Sequence, residues 1–544
     1  MWQLFLYSFT LCVAVVLGAL CVRPAASRTW ACTDPMITAG SQDSVLWSLY
    51  SRVWSWISQC WPFPAFPSSS PSPSLPSPPS LPLLGHSLHL SHSHLHEHLT
   101  ALARRYGNIY LLRCRGTRVV VLSSNEVIRE ALVKKWSDFA GRPQTYTGNA
   151  VCGVGVDISL GDYSPVWREQ RRRVHCAIQH SRVSTLQHTI TEEARRLKEV
   201  LLSYNGAPVD LMDDFTVAAS NVITTLVFGK RYERGSPELS SLLSCLNEVV
   251  SLWGSPWITI LDSFPLLRKL PNPAFARLMK AVARRDDIIR ERLQEYKVQC
   301  QGQTPGGDIT ADLLQSLECP EGASGREALS ETHVHMSIVD LLIGGTETMA
   351  AWLGWAIAFL QHRPEVQDSV SEELHSVLGN QCPEYSDREA LPWLGALVSE
   401  VLRLRPVAPL AVPHCATRDS SIAGYFIPKD TVVIPNLYGA HHDPQLWSDP
   451  YCFRPERFLG EGASSSRLLL PFGGGARLCL GESIARTEIF LFTAHLLRDL
   501  QFLPPGNEEP LPDLRGTTSV VHKPKPFRVI VRPRARPPTE PLAY

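Results

Sequence analysis

Apolar residues recur every three or four positions through most of the chain, a pattern that predicts helices. The segment TITEEARRLKEVLLSY shows this spacing, with charged residues between the apolar ones. A longer apolar run from His333 to His362 predicts one long helix, which is interrupted by glycines and polar residues only at its centre. Short runs such as NIYLLRC, TRVVVLSS, SIAGYFIP, TVVIPNLY and FRVIVRP predict strands. We therefore expect a mainly α protein with small β-sheets and no division into two cores.

The first part of the chain has the composition of a membrane anchor. Residues Trp2 to Val22 are apolar and uncharged, and about 20 such residues are enough to cross a bilayer. A cleaved signal peptide is the alternative, but the run is long for one and no basic segment precedes it. A tryptophan-rich stretch at residues 44–61 suits the membrane interface. Arg23 and Arg28 follow the apolar run and predict a cytosolic body.

A proline- and serine-rich segment separates this region from the rest of the chain. The sequence predicts an anchor at residues 1–61, a semi-rigid hinge at 62–86, one catalytic domain at 87–537 and a tail at 538–544. Histidines crowd the start of the catalytic domain, between His86 and His98. We interpret them as a solvated helix face rather than a metal site.

Charge and cysteine usage exclude several classes of protein. Lys+Arg and Asp+Glu both number 52, so the formal net charge is zero, which argues against bulk attraction to nucleic acid. The 14 cysteines include no C-x-x-C pair, so neither a disulfide scaffold nor structural zinc is expected.

One cysteine stands in an unusual setting, the segment PFGGGARLCLG from Pro471 to Gly481. Consecutive glycines give a backbone that can lie against a flat ligand, because no β-carbon stands in the way. A helix-like run follows Cys479, and a helix N-terminus favours a thiolate. By itself the segment is equally compatible with a glycine-rich turn around a structural cysteine.

The centre of the long apolar helix carries a second unusual segment, VDLLIGGTETMAAWLGW. Glycine costs about 1 kcal/mol relative to alanine inside a helix, so Gly344 and Gly345 suggest close approach of another group. The polar residues Thr346, Glu347 and Thr348 follow, and a local distortion there would free backbone carbonyls. A crossing of two helices at small residues is the alternative.

Two further patterns combine arginines with possible partners. Glu400 and Arg403 in EVLRLRP share a helix face, and Arg457 in FRPERF could join them. Trp167 and Arg171 in WREQRRR are four residues apart, and an arginine beside an indole can grip a carboxylate.

In the order W-x-x-x-R, G-G-x-E-T, E-x-x-R, F-x-P-E-R-F and F-G-G-G-x-R-x-C-x-G, these motifs resemble the cytochrome P-450 superfamily of heme-thiolate monooxygenases. The resemblance extends from the hinge to the last predicted strand. It implies heme b with Cys479 as the axial thiolate ligand of iron. It implies heme contacts from Arg142, Trp167, Arg171, Gly344, Gly345, His414, Phe472, Arg477 and Gly481.

The same resemblance assigns two further groups of residues. Glu347 and Thr348 would be catalytic and deliver protons during oxygen activation. The structural network behind the heme would consist of Glu400, Arg403 and Arg457.

Longer segments, among them HVHMSIVDLLIGGTETMA, FAGRPQTY and EVLRLRPVAPLAVPH, resemble the vertebrate steroid 21-hydroxylases. That family hydroxylates progesterone and 17α-hydroxyprogesterone at carbon 21, and Arg268 would grip the steroid 3-keto oxygen. The implied apolar pocket consists of Asp340, Ile343, Val407, Ala408, Leu410 and Ala411. Met349 and Cys415 depart from the family pattern, which usually has a small hydroxyl residue and an arginine there.

Alternatives within the enzyme class are a steroid 17α-hydroxylase/17,20-lyase and a broad-substrate microsomal monooxygenase. A non-catalytic heme protein or a heme-thiolate isomerase is disfavoured by Glu347 and Thr348. The resemblance further implies O2, a steroid substrate, membrane lipid and NADPH–cytochrome reductase as partners, with Arg172, Arg173 and Arg486 as candidate reductase contacts. It implies an endoplasmic reticulum membrane location with the catalytic domain facing the cytosol, and no nucleic-acid partner.

Overall fold

Helices make up most of the chain, as the spacing of apolar residues predicts. The computed structural model describes residues 74–81, 85–114, 116–184, 186–299, 307–318, 329–506 and 509–534. These residues belong to one compact unit, residues 70–544. The predicted anchor at 1–61, much of the hinge and the tail at 538–544 lie outside the described residues.

The α-helices of the described residues are numbered here in chain order. They are α1 (Ser87–Leu90), α2 (Leu95–Tyr106), α3 (Asn125–Arg129), α4 (Tyr146–Cys152), α5 (Pro165–Ser184), α6 (Leu186–Ser203), α7 (Met212–Phe228), α8 (Pro237–Trp253), α9 (Pro256–Ser263), α10 (Pro273–Gln299), α11 (Ile309–Glu318), α12 (Glu331–His362), α13 (Pro364–Leu378), α14 (Pro392–Leu404), α15 (Leu437–His441) and α16 (Glu482–Asp499). A π-helical turn follows α3 at Glu130–Lys134. The 3-10 turns are Pro265–Lys269, Tyr385–Glu389, Pro455–Phe458, Gly460–Leu468 and Gly475–Arg477.

The strands form one mixed sheet and three two-stranded antiparallel pairs. They are β1 (Ile109–Cys114), β2 (Thr117–Leu122), β3 (His414–Cys415), β4 (Ser420–Ile422), β5 (Tyr425–Ile427), β6 (Val432–Pro435), β7 (Leu500–Leu503), β8 (Thr517–Thr518), β9 (His522–Lys523) and β10 (Ile530–Pro533). The four-stranded sheet has the order β1-β2-β6-β3, in which β2 and β6 run parallel. The β1–β2 hairpin confirms the sequence prediction, with Ile109 opposite Leu122 and Cys114 opposite Thr117.

Helix α12 forms the centre of the largest apolar core. Most of its side chains are buried, including Trp352, Trp355 and Phe359. It is long and apolar enough to cross a membrane, but a helix that is apolar all round is also what a protein core requires. Its burial against α7, α16 and their neighbours accounts for that composition.

A buried ion network joins α14 to the 3-10 turn Pro455–Phe458. Arg403 donates to both carboxylate oxygens of Glu400, at 2.7 and 2.9 Å, and neither side chain is exposed. Arg457 reaches the same carboxylate at 3.2 Å. The remaining N–H groups of Arg403 donate to the carbonyls of His441 and Pro450. The pair is therefore fully hydrogen-bonded, which a buried pair requires in order to be tolerated.

The interpretation of the first histidines as a solvated helix face is wrong for three of them. His86, His89 and His96 are buried, because they pack under the β1–β2 hairpin and against the chain around β9. His89 Nδ1 lies 2.9 Å from His98 Nε2. Within the described ranges, no three histidine, cysteine, aspartate or glutamate side chains are arranged to hold a metal ion.

Candidate active site

The loop that carries Cys479 is tightly fixed by its glycines. The backbone N–H of Cys479 donates to the carbonyl of Phe472 at 3.0 Å, which closes the loop. Gly475 has a φ of +65°, and a β-carbon there would lie 1.8 Å from the carbonyl oxygen of Leu132. Only glycine allows the loop to approach the π-helical turn so closely. Gly481 directly precedes α16, and a β-carbon there would meet no other atom within 4 Å.

The side chain of Cys479 is exposed although the loop around it is packed. Burial of the surrounding site raises the pKa of the thiol, whereas the N–H of Gly481 and the guanidinium of Arg171 lower it. Arg171 itself donates to the carbonyl of Leu478, next to the cysteine. The thiol is thus available to a ligand and has groups beside it that stabilise a thiolate. A purely structural buried cysteine does not fit this setting.

A group of positively charged side chains lies near the cysteine loop, consisting of Arg142, Arg171 and Arg477. Burial, and then repulsion from Arg171, lower the pKa of Arg477 to about 9. Burial, and then repulsion from Arg477, hold the pKa of Arg142 well below its usual value. His414 is buried beside them, and burial and Arg142 lower its pKa. Asp157 and Asp162 offset part of this repulsion, and a further anionic partner would stabilise the like charges.

Backbone carbonyls hold the cations in place. Arg477 donates to the carbonyls of Ala140 and Gly161, each at 2.8 Å. Arg142 donates to the carbonyls of Ser159, Val412 and Pro413 at 2.8 to 2.9 Å. The ring nitrogen Nδ1 of His414 donates to the carbonyl of Phe139 at 2.7 Å.

Helix α12 presents two different faces at its paired glycines. A β-carbon at Gly345 would lie 2.9 Å from Ile223 of α7, whereas one at Gly344 would meet no other atom within 4 Å. Close helix crossing therefore explains Gly345, and the open face belongs to Gly344. The helix continues without the distortion expected from the sequence. Instead, the hydroxyl of Thr348 donates to the carbonyl of Gly344 at 2.6 Å.

A small, partly open depression lies between α8 and α12. Its lining consists of Leu243, Leu246, Asn247, Val250, Ile343, Thr346 and Glu347. Burial raises the pKa of Glu347, and Lys523 opposes this only in part. The pocket is thus apolar on most sides, with a carboxyl that holds its proton more strongly than an exposed glutamate.

The family model for cytochrome P450 matches residues 75–531 of this chain. The chain is a cytochrome P450. It is 40% identical to the steroid 21-hydroxylase of Homo sapiens over 459 residues, which cover 83% of this chain and 92% of the relative. The identity to the steroid 21-hydroxylase of Bos taurus is 42% over 461 residues, 83% and 91% of the two chains.

Solved structures agree with this membership. A zebrafish cytochrome P450 in a structure with progesterone has a TM-score of 0.73 and 36% identity, covering 80% of this chain and 99% of the other. A zebrafish cytochrome P450 in a structure with abiraterone gives a TM-score of 0.71, also at 36% identity, covering 81% and 99%. Like other P450s, the protein is a heme-dependent monooxygenase.

The residues present fit a heme group. Heme needs an axial ligand for iron and partners for two propionate carboxylates, and this P450 places an accessible thiol and buried cations close together. Cys479 would hold the iron, with Arg142, Arg171 and Arg477 as candidate partners of the propionates. The crowding of like charges beside the thiol is the observation that carries this assignment.

Trp167, which is predicted to contact a propionate, donates to a protein carbonyl in the structure. Its indole N–H donates to the carbonyl of Ile158 at 2.9 Å, so the one hydrogen-bond donor of the side chain is bound to the protein. The guanidinium of Arg477 lies 3.8 Å above the indole ring, a distance typical of a cation–π contact. Trp167 therefore helps to hold the guanidinium of Arg477 in position. Phe472 is similarly covered by the guanidinium of Arg486, at 4.8 Å from the ring.

Two residues predicted to contact substrate make hydrogen bonds to protein groups. Asp340 accepts the backbone N–H of Ile158 at 2.7 Å and the hydroxyl of Ser159. Arg268 is exposed on the 3-10 turn after α9. It donates to the carbonyl of Leu261 at 2.8 Å and lies over the ring of Tyr146. Neither is part of the pocket lining described above.

The other predicted pocket residues divide between two locations. Ile343 lines the pocket on α12. Val407 accepts the backbone N–H of His522 through its carbonyl, and Ala408 is exposed. Leu410 and Ala411 pack against the apolar clusters on either side of the four-stranded sheet.

The structure accommodates both departures from the family pattern. Met349 is buried in the core on α12. The backbone N–H of Cys415 donates to the carbonyl of Gly141 at 2.8 Å, a bond that does not depend on the side chain.

Sequence reasoning missed Asn247. Its amide joins a mostly apolar lining, and its exposed side chain lies in the pocket. Leu243, Leu246 and Val250 follow helical spacing along α8. A polar residue within that stripe was a signal that could have indicated the pocket.

The paired glycines of α12 generate a test with a built-in control. In Gly344→Ala, the new methyl meets open space, so we expect stability to rise by about 1 kcal/mol through helix propensity while turnover falls. In Gly345→Ala, the methyl contacts Ile223, so its stability should lie about 1–3 kcal/mol below that of Gly344→Ala. Urea unfolding followed by tryptophan fluorescence measures both. Equal stabilities would contradict the assignment of the two faces.

Proposed function

We propose that this P450 hydroxylates steroids, with progesterone and 17α-hydroxyprogesterone as substrates and carbon 21 as the site of oxidation. The observation that carries the proposal is the largely apolar depression between α8 and α12, which Glu347 helps to line. Relatives named steroid 21-hydroxylase at about 40% identity support the choice of substrate and position.

The apolar lining of this depression suits one face of a flat, apolar steroid. Affinity would come mainly from apolar burial against Leu243, Leu246, Val250 and Ile343, with a few polar contacts fixing the orientation. Asn247 offers an amide that can donate to a keto oxygen. Arg268 stays a candidate for the 3-keto oxygen only if the turn after α9 closes over the ligand.

Heme b held by Cys479 would supply the reductive activation of O2, with one oxygen atom inserted into a C–H bond and the other released as water. We assign proton delivery to Glu347 and Thr348. Burial raises the pKa of Glu347, which suits a proton donor near neutral pH. Thr348 presents a hydroxyl one helical turn from Gly344, and this hydroxyl must exchange its bond to the Gly344 carbonyl in order to pass a proton.

The proposal also includes an electron donor and a membrane. Electrons would come from NADPH through a flavoprotein reductase, and the N-terminal segment would anchor the enzyme in the endoplasmic reticulum membrane with its catalytic domain in the cytosol. Arg172 and Arg173 both pair with Glu169, and Arg486 pairs with Glu482. These pairings reduce the net positive charge that the three arginines offer to an acidic partner. Charge reversal at Arg172 or Arg486 that left reduction rates and their salt dependence unchanged would remove them as contacts.

Hydroxylation at carbon 17 is the second candidate. The zebrafish P450 solved with progesterone resembles this chain over 80% of its length. That likeness favours a steroid ligand but no particular carbon atom, because regioselectivity depends on small differences in ligand placement.

Product identification tests the proposal. The membrane-embedded enzyme, supplied with reductase and NADPH, should convert progesterone and 17α-hydroxyprogesterone to 21-hydroxylated products identified by mass spectrometry and NMR. A 17α-hydroxylated product would favour the second candidate. Absence of any steroid product from heme-loaded, reducible enzyme would overturn the steroid assignment.

Proton delivery generates a separate test. In Thr348→Ala, we expect NADPH consumption to continue while product per NADPH falls roughly 10- to 100-fold, because general acid catalysis typically contributes at least that much. Thr348→Ser should restore most of the coupling. Thr216→Ala is a matched control, since Thr216 makes the same bond to the carbonyl four residues earlier in α7. Unchanged coupling in Thr348→Ala would remove Thr348 from the relay.

A further inference from the structure

Residues 157–161, Asp157-Ile158-Ser159-Leu160-Gly161, form a short segment between helix α12 and the cysteine loop, and we name it the strap. The strap is fixed internally, because the carboxylate of Asp157 accepts the N–H of Leu160 at 2.7 Å. Nearly all of Asp157 is buried. The strap therefore has a defined shape and two sides that can be examined separately.

One side of the strap presents carbonyl oxygens to the cations near Cys479. The carbonyl of Ile158 accepts Trp167 Nε1 at 2.9 Å and Arg477 Nη1 at 3.2 Å. The carbonyl of Gly161 accepts Arg477 Nη2, and that of Ser159 accepts Arg142 Nε, each at 2.8 Å. Three carbonyls of five residues thus orient two of the arginines that would hold the heme propionates.

The other side of the strap presents hydrogen-bond donors to Asp340 of α12. Oδ2 of Asp340 accepts the N–H of Ile158 at 2.7 Å, and Oδ1 accepts the hydroxyl of Ser159. The N–H of Ser159 also stabilises the carboxylate. This N–H belongs to the peptide unit whose carbonyl accepts Arg477 and Trp167. The peptide dipole is therefore aligned between a carboxylate and a guanidinium, and such aligned bonds strengthen one another.

We propose that Asp340 is a positioning residue for heme binding, which acts by holding the strap so that its carbonyls orient Arg142 and Arg477. Asp340 does not contact the cations directly in this arrangement. It connects the long central helix to the arginine two residues before Cys479. The proposal holds whichever steroid is the substrate, and it gives Asp340 a role different from the predicted one in the substrate pocket.

The ionisation of Asp340 is expected to change near neutral pH, and this change gives the proposal a pH-dependent test. Burial, followed by repulsion from Asp157, raises the pKa of Asp340 to about 7. The other ionisable groups that face the two aspartates include Arg142 and Arg477 beside Asp157, Cys152 of α4 and Arg285 of α10. Because the pKa in the folded state lies above that of an unfolded aspartate, this group favours folding at low pH, and its contribution is lost as pH rises through about 7. Above that pH the ionised carboxylate is the stronger acceptor for the strap.

Substitutions at both ends of the contact test the proposal. In full-length, heme-loaded protein, Asp340→Ala should release heme to excess apomyoglobin roughly tenfold faster than wild type, the usual effect of removing a partner that orients a ligand. Asp340→Asn keeps one acceptor oxygen, so its rate of heme release should lie between those of wild type and Asp340→Ala. The heme reduction potential of wild type should change as pH passes through about 7, and this step should be absent in Asp340→Asn.

Controls separate positioning from general destabilisation. Asp308 is also buried, accepts the hydroxyl of Tyr296 and the N–H of Ala311, and has a pKa raised by burial. Asp308→Asn should therefore leave heme release and the pH step unchanged. If Asp340→Ala fails to fold, Ser159→Ala carries the test. It removes one donor from the strap and should accelerate heme release between about twofold and tenfold.

Two results would overturn the proposal. The first is unchanged heme release in Asp340→Ala with a weakened steroid affinity, which would make Asp340 a substrate contact. The second is a pH step in the heme potential that persists in Asp340→Asn, together with wild-type heme release in Ser159→Ala.

Discussion

The structure depends on placing several guanidinium groups in a buried site beside a single thiol. Buried like charges lower the stability of a fold unless every N–H is satisfied and an anion is supplied. Here backbone carbonyls from three separate segments satisfy Arg142 and Arg477, and the exposed thiol of Cys479 lies next to Arg171. Helix α5, the strap, strand β3 and the cysteine loop are all brought together by this requirement. The two propionate carboxylates of a heme group would add negative charge beside these arginines to that of Asp157 and Asp162.

Helix α12 shows how local preference and function conflict within one element. Its two central glycines weaken the helix, yet each has a distinct use. Gly345 allows α7 to cross closely at Ile223, and Gly344 leaves one face open beside the pocket. Natural sequences break local rules mainly where function requires it. The buried apolar remainder of α12 supplies the packing that offsets these costs.

Sequence reasoning recovered the parts of this protein that depend on periodicity and on ordered motifs. The helical class, the β1–β2 hairpin and the grouping of Glu400, Arg403 and Arg457 follow from spacing and from motif order. The hydrogen-bond partners of individual side chains were harder to predict. Trp167, Asp340 and Arg268 were assigned to ligands, but in the structure their polar atoms bond to nearby backbone groups. A sequence shows that a residue is polar and on which helix face it lies, but not which carbonyl or N–H of a distant loop it meets. The buried histidines at the start of the domain were misjudged for the same reason.

The central claim is that Cys479 provides the thiolate that ligates heme iron. The most direct measurement is the absorption spectrum of the reduced, carbon monoxide-bound protein, compared between wild type and Cys479→Ser. Wild type should show the spectrum of thiolate-ligated heme, and Cys479→Ser should lose it, whereas Cys176→Ser, at an exposed cysteine on α5, should retain it. A thiolate-type spectrum in Cys479→Ser would contradict the account.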